Sequence, residues 1–126
     1  MRLFGAVALS AVLALVTGGS ALAQAKGDTA KGEALFKQRC SACHSVVAPP
    51  PPGPAPNLRG VVGRKAASTT FKYSPALAKS GLTWSAQQLD QFLATPGGVV
   101  PGTFMAISVP KAEERRDLIA YLATVK

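Results

Sequence analysis

With 126 residues, the chain is long enough for one compact core and too short for two. Its 14 Lys and Arg against 6 Asp and Glu give a net charge of +8, a balance that suits a nucleic acid, an anionic membrane or an acidic protein partner. Two cysteines and one histidine fall short of the four donors of a structural zinc site unless a carboxylate or a second subunit contributes.

The first segment reads as an export signal. Arg2 precedes an apolar stretch from Leu3 to Val16, then Thr17-Gly18-Gly19-Ser20 and the small-x-small triplet Ala21-Leu22-Ala23 that signal peptidase prefers. The apolar core is shorter than the ~20 residues needed to span a bilayer. This predicts a secretory signal over residues 1–23, with an alternative cut after Ala25, leaving one domain over 24–126 in the periplasm with no membrane span. Cleavage removes Arg2 and Met1, so 13 Lys and Arg remain against 6 acids and Met105 becomes the sole thioether. Export argues against nucleic acid as the partner.

The first predicted helix runs from about Asp28 to Arg39. Asp28 and Thr29 are good caps, Ala30, Ala34, Leu35 and Phe36 carry apolar surface, and Lys37 and Arg39 sit in the last turn where the helix dipole favours cations. Gly32 lies four residues before Phe36 on the same face. Because an interior glycine is unfavourable by ~1 kcal/mol relative to alanine, close packing against another helix is the expected reason for it.

This helix delivers Cys40-Ser41-Ala42-Cys43-His44. Two thiols separated by two residues can reach the two vinyl groups on one side of a porphyrin, and a histidine directly after the second can approach its iron. A thioredoxin-like pair would need a preceding strand and a βαβ context, which the flanking helix and proline-rich segment do not provide. A plain disulfide would explain the cysteines and leave His44 idle. If a haem is attached here, His44 and Met105 are the single candidates for its two axial positions.

Ala48 to Pro56 contains six prolines and must be a stiff, extended loop, since proline fixes φ and lacks the N–H. Residues 57–65 are turn-rich, and 69–74 form a short extended or coil segment. Ser74-Pro75 can open a short helix through Lys79, ended by Gly81. A second main helix starts near Ser85, with Ser85 and Gln88 spaced as a capping box, Leu89, Phe92 and Leu93 on its apolar side, and Pro96-Gly97-Gly98 to stop it. Pro101-Gly102-Thr103-Phe104-Met105 is a loop that presents a methionine. A third main helix is predicted from about Lys111 to Thr124, with Glu113 and Glu114 in its first turn and Leu118, Tyr121, Leu122 and Val125 on one face. No strand-rich region or internal repeat is evident.

Nearly all of the mature chain resembles the class I cytochromes c, and is similar to bacterial cytochrome c2 and mitochondrial cytochrome c. The resemblance covers Gly27-Asp28 through Cys43-His44, Pro56-Asn57-Leu58, Gly63-Arg64-Lys65 and Phe71-Lys72-Tyr73-Ser74. It continues through Gly81-Leu82-Thr83-Trp84, Pro101 to Met105, and Glu114-Arg115 through Leu118-Ile119-Ala120-Tyr121-Leu122. It implies an all-α cytochrome c fold: three main helices with short helices and loops around one covalently bound haem c. Cys40 and Cys43 would form the thioethers, and His44 and Met105 would be the iron ligands. The Pro56 carbonyl would orient the histidine ring, while Arg64, Tyr73 and Trp84 would surround a buried propionate. Gly32, Phe36, Leu118 and Tyr121 would form the crossing of the first and last helices.

The implied function is a soluble monohaem electron carrier and not an enzyme, since two protein ligands leave the iron no open position. Its partners would be redox proteins such as a cytochrome bc1 complex, a terminal oxidase, a reaction centre or a periplasmic dehydrogenase. A haem enzyme or gas sensor with a displaceable methionine, or a dedicated dehydrogenase subunit, are the alternatives. Two departures stand out: Phe92 replaces a frequent tyrosine and Leu77 a frequent asparagine, so fewer polar groups are expected near the iron. Mitochondrial relatives ring the haem edge with lysines, whereas Pro51, Gly53, Gly97, Gly98 and Phe104 stand at corresponding positions here, with Arg39 and Lys111 remaining. Docking through an apolar patch around Phe104 and the proline loop is therefore expected.

Overall fold

The structure, a computed structural model, describes residues 26–126; the predicted signal lies outside the described residues. Five helices follow one another: α1 (Thr29–Arg39), α2 (Pro75–Ala78), α3 (Ala86–Ala94), α4 (Pro96–Val99) and α5 (Ala112–Thr124). Among the described residues the only β pairing is an isolated antiparallel bridge between Lys65 and Thr83. The all-α architecture with three main helices is as expected.

α1 begins where the Asp28 side chain accepts from the Lys31 N–H at 3.1 Å, which satisfies a donor that has no partner inside the helix. The helix buries only Gly32 and Phe36, one turn apart, and these meet α5. A Cβ built on Gly32 would lie 1.9 Å from the Asp117 carbonyl oxygen, so at this crossing the backbones touch and no larger residue fits. Two further contacts fix the angle of approach. The Phe36 and Tyr121 ring centroids are 5.6 Å apart, and the Asp28 N–H donates to the buried Asp117 carboxylate at 2.7 Å. At the outer end Arg39 pairs with Glu114 at 2.8 Å.

α3 starts with the Ser85 hydroxyl accepting from the Gln88 N–H at 3.0 Å. Only this half of the expected capping box forms, because the Ser85 N–H donates instead to the Thr83 carbonyl at 2.8 Å. The helix ends at Ala94, before Pro96 as predicted. The segment Pro96-Gly97-Gly98 does not simply stop the chain, however, but forms the further turn α4. Proline suits a first helical position, where its missing N–H has no partner to lose. α3 and α5 are joined by Arg115 and Asp90 at 2.8 Å.

The core comprises Phe36, Val61, Trp84, Leu89, Phe92, Leu93, Val100, Val109, Leu118 and Leu122. It draws on all three main helices and on loop residues. The loops are tied to the helical frame by backbone bonds, among them Gly60 N–H to the Val125 carbonyl at 2.7 Å and Val109 N–H to the Leu93 carbonyl at 2.8 Å.

Candidate functional site

The core residues enclose one side of a cavity of about 400 Å³ whose wall is mostly apolar. Every site residue expected from the sequence lines it: Cys40, Cys43, His44, Pro56, Arg64, Tyr73, Trp84 and Met105. They come from six separate stretches of chain.

On one side, α1 passes into a tight turn in which the His44 N–H donates to the Cys40 carbonyl at 2.9 Å. This turn puts Cys40, Cys43 and His44 on the wall of the same cavity. Cys40 is half-buried, Cys43 exposed, and both are free thiols. Burial pushes the Cys40 thiol above its ordinary pKa, with Arg39 pulling the other way. His44 Nδ1 lies 2.7 Å from the Pro56 carbonyl oxygen. A carbonyl can only accept, so Nδ1 carries the proton and Nε2 keeps its lone pair. Burial lowers the His44 pKa despite the opposing effect of that hydrogen bond, and the neutral ring is the form able to ligate a metal.

Met105 reaches the cavity from an irregular loop. Gly102 has φ +93°, a left-handed conformation that turns the chain without strain only for glycine. The Thr103 N–H then donates to the Val100 carbonyl at 3.0 Å, and the Met105 N–H donates to the Thr103 hydroxyl at 3.3 Å. The neighbouring Phe104 is 74% exposed although it also borders the cavity.

Arg64 is held by its own loop, donating to the carbonyls of Arg59 at 2.9 Å and Asn57 at 3.1 Å. Its Nε is buried and has no protein acceptor. A buried guanidinium N–H in a cavity wall calls for an acceptor from whatever fills the cavity, and a carboxylate is the natural one. Tyr73 shares a hydrogen bond with Thr69 at 2.5 Å and stacks edge-on against Phe71. Trp84 packs on Phe92 with ring centroids 4.9 Å apart. The set fits a flat, largely apolar group that bears carboxylates and bonds covalently to two thiols, which describes haem c. Among the described residues no cluster of three or more His, Cys, Asp or Glu is placed to hold a metal ion.

Several wall residues were not singled out from the sequence. Ser74 is 3% exposed and lines the cavity while its hydroxyl caps α2 by accepting from the Leu77 N–H at 3.1 Å. Asn57 and Arg59, outside the wall, support Arg64 through backbone carbonyls, which leave no signature in side-chain identity. Ile107 and Thr103 complete the wall near Met105.

Residues 29–126 match the Cytochrome c family. The chain is 48% identical over 107 residues to cytochrome c2 of Rhodomicrobium vannielii, covering 83% of this chain and 85% of that one. It is 44% identical to cytochrome c of Tetrahymena pyriformis, over 79% of this chain and 91% of that one. Among solved structures, cytochrome cH from Methylobacterium extorquens superposes with a TM-score of 0.72 at 44% identity, covering 78% of this chain and 99% of that one. Such agreement in sequence and fold, over the same residues that build the cavity, places this chain in the cytochrome c family as a class I c-type cytochrome, a family of electron carriers that hold haem c covalently.

Proposed function

We propose that this protein is a periplasmic monohaem electron carrier whose iron would be held by His44 and Met105. The observation that supports it best is the convergence of Cys40, Cys43, His44, Met105 and the unpartnered Arg64 Nε on one apolar cavity. Haem bound there supplies reversible one-electron chemistry at its iron. Cys40 and Cys43 hold it through thioethers. His44 offers Nε2, with Pro56 fixing the ring by accepting from Nδ1. Met105 offers a thioether, which favours the reduced metal relative to a second imidazole. Arg64, with Tyr73 and Trp84 beside it, receives a propionate whose desolvation would otherwise be costly. Leu77 and Phe92 keep their part of the wall apolar and water-poor.

With both ligands supplied by the chain, no position is left for a substrate, and little has to move when an electron arrives or leaves. That suits a carrier better than a catalyst. The carrier is exported by cleavage after residue 23 or 25 and meets redox partners such as a bc1 complex, terminal oxidase, reaction centre or periplasmic dehydrogenase. Its docking edge is apolar. Phe104, Ile107 and Val47 are 74, 54 and 55% exposed, segments 45–56 and 95–110 carry no charge, and Arg39 is already paired with Glu114.

The decisive experiment is an optical spectrum of the purified holoprotein. A low-spin c-type spectrum with a weak far-red sulfur band in the oxidised form is expected, and Met105→Ala should abolish that band. A high-spin spectrum, or a band that survives the substitution, would overturn the ligand assignment.

A further inference from the structure

Met105 is carried by a stretch with little of its own to hold it. Phe104, Ala106, Ile107 and Ser108 are exposed, and the segment belongs to no helix. On the N-terminal side it is fixed by the short bonds of the Val100–Thr103 turn. On the C-terminal side the fixing point is Val109-Pro110, and a single side chain grips it. The Arg115 guanidinium donates through one terminal nitrogen to both the Val109 and Pro110 carbonyls, at 2.9 and 2.8 Å. Its Nε donates to Asp90 at 2.8 Å. One residue of α5, its side chain only 12% exposed, thus clamps the methionine loop to α3 and α5 together.

We propose that Arg115 is a positioning residue for the distal ligand: it sets how often the 104–108 segment opens and releases Met105 from the iron. This deepens, and rests on, the assignment of Met105 as ligand. Segments with few internal bonds open locally without global unfolding, and the bonds that close them determine the open population. Arg115 supplies two charge-assisted hydrogen bonds at the C-terminal anchor and is itself held by a third to Asp90; without it the bond from the Val109 N–H and the buried Val109 side chain remain. Lysine cannot replace it, since a compact ammonium lacks the planar fork that reaches Asp90 and two carbonyls at once. Asp90→Asn would leave the carbonyl grip intact and loosen only the side facing α3.

The test uses oxidised holoprotein and imidazole as an added ligand that competes with Met105. Arg115→Met and Arg115→Lys are expected to bind imidazole about tenfold more tightly than the parent, the scale of one charge-assisted hydrogen bond, and Asp90→Asn about threefold. Asp28→Ala, which loses the α1 cap far from this loop, serves as the control. It should lower global stability in urea and leave imidazole binding within about twofold of the parent. The proposal is overturned if the Arg115 variants bind imidazole as the parent does, or if Asp28→Ala tightens binding equally. If the parent itself lacks the far-red sulfur band, the ligand assignment fails, and the proposal falls with it. A normal band with unchanged imidazole affinity in the Arg115 variants would reject the clamp alone.

Discussion

Arg64 lines the cavity with a side chain that is nearly satisfied, two nitrogens spent on its own loop and the third buried without a protein acceptor. On the proposed reading its charge acts on the cofactor, while its hydrogen bonds act on the fold. Arg64→Met keeps the stem and removes both. The loop should lose ~1–3 kcal/mol, the usual effect of breaking such bonds, seen as a lower urea midpoint. The reduction potential should also fall, because removing a nearby cation stabilises the more positive oxidised iron; an unchanged potential would mean that Arg64 has no propionate beside it. The eight residues expected at the site, from one five-residue motif and the order of the segments that carry the others, all line the cavity. The carbonyls of Asn57, Arg59 and Pro56 differ among themselves in legibility. The Pro56 contact came with the family resemblance, whereas the other two depend on how a loop folds back and have no residue-type signal.

The crossing of α1 and α5 is the element that fixes the rest. Since a Gly32 side chain would meet main-chain atoms of Asp117 at 1.9 and 2.5 Å, nothing flexible can give way and the helices would have to separate. Gly32→Ala should therefore destabilise by ~3 kcal/mol, the size of a severe overpacking change, even though alanine is better in a helix by ~1 kcal/mol. A urea midpoint at or above the parent's would refute the close approach. The glycine was readable as a packing site because its place in a helix is otherwise unfavourable. Asp117 was not, since a carboxylate in a helix ordinarily faces water, and its burial depends on the Asp28 N–H from a segment 89 residues away. α4 escaped for another reason. Proline and two glycines look like a terminator, and the same proline is well suited to begin the next turn.

For the whole molecule, formal charge and docking charge are different quantities. Segments 45–56 and 95–110, which contribute residues to the cavity wall, carry no charge, and Arg39 in the same wall is paired with Glu114, so partner association should change little with ionic strength. Measured second-order electron-transfer rates that fall more than about tenfold between low and physiological salt would contradict this, because such a fall signals steering by charge. Export is testable at the same scale. N-terminal sequencing of the protein recovered from the periplasm should begin at Gln24 or Lys26, and a chain retaining Met1 would show that the signal is not cleaved.

Local signals in the sequence were sufficient for the covalent attachment motif, the single candidate for each axial ligand and the three main helices with most of their boundaries. Caps, periodicity and contiguous motifs act over a few residues, so they survive in one dimension. The tertiary structure alone decided that the Arg64 Nε is buried without a protein acceptor, that Asp117 is buried against the start of α1, and that Arg115 ties the methionine loop to two helices. Each of these is a contact between segments distant in the chain, set by how closely backbones can approach and by which buried polar groups must find partners.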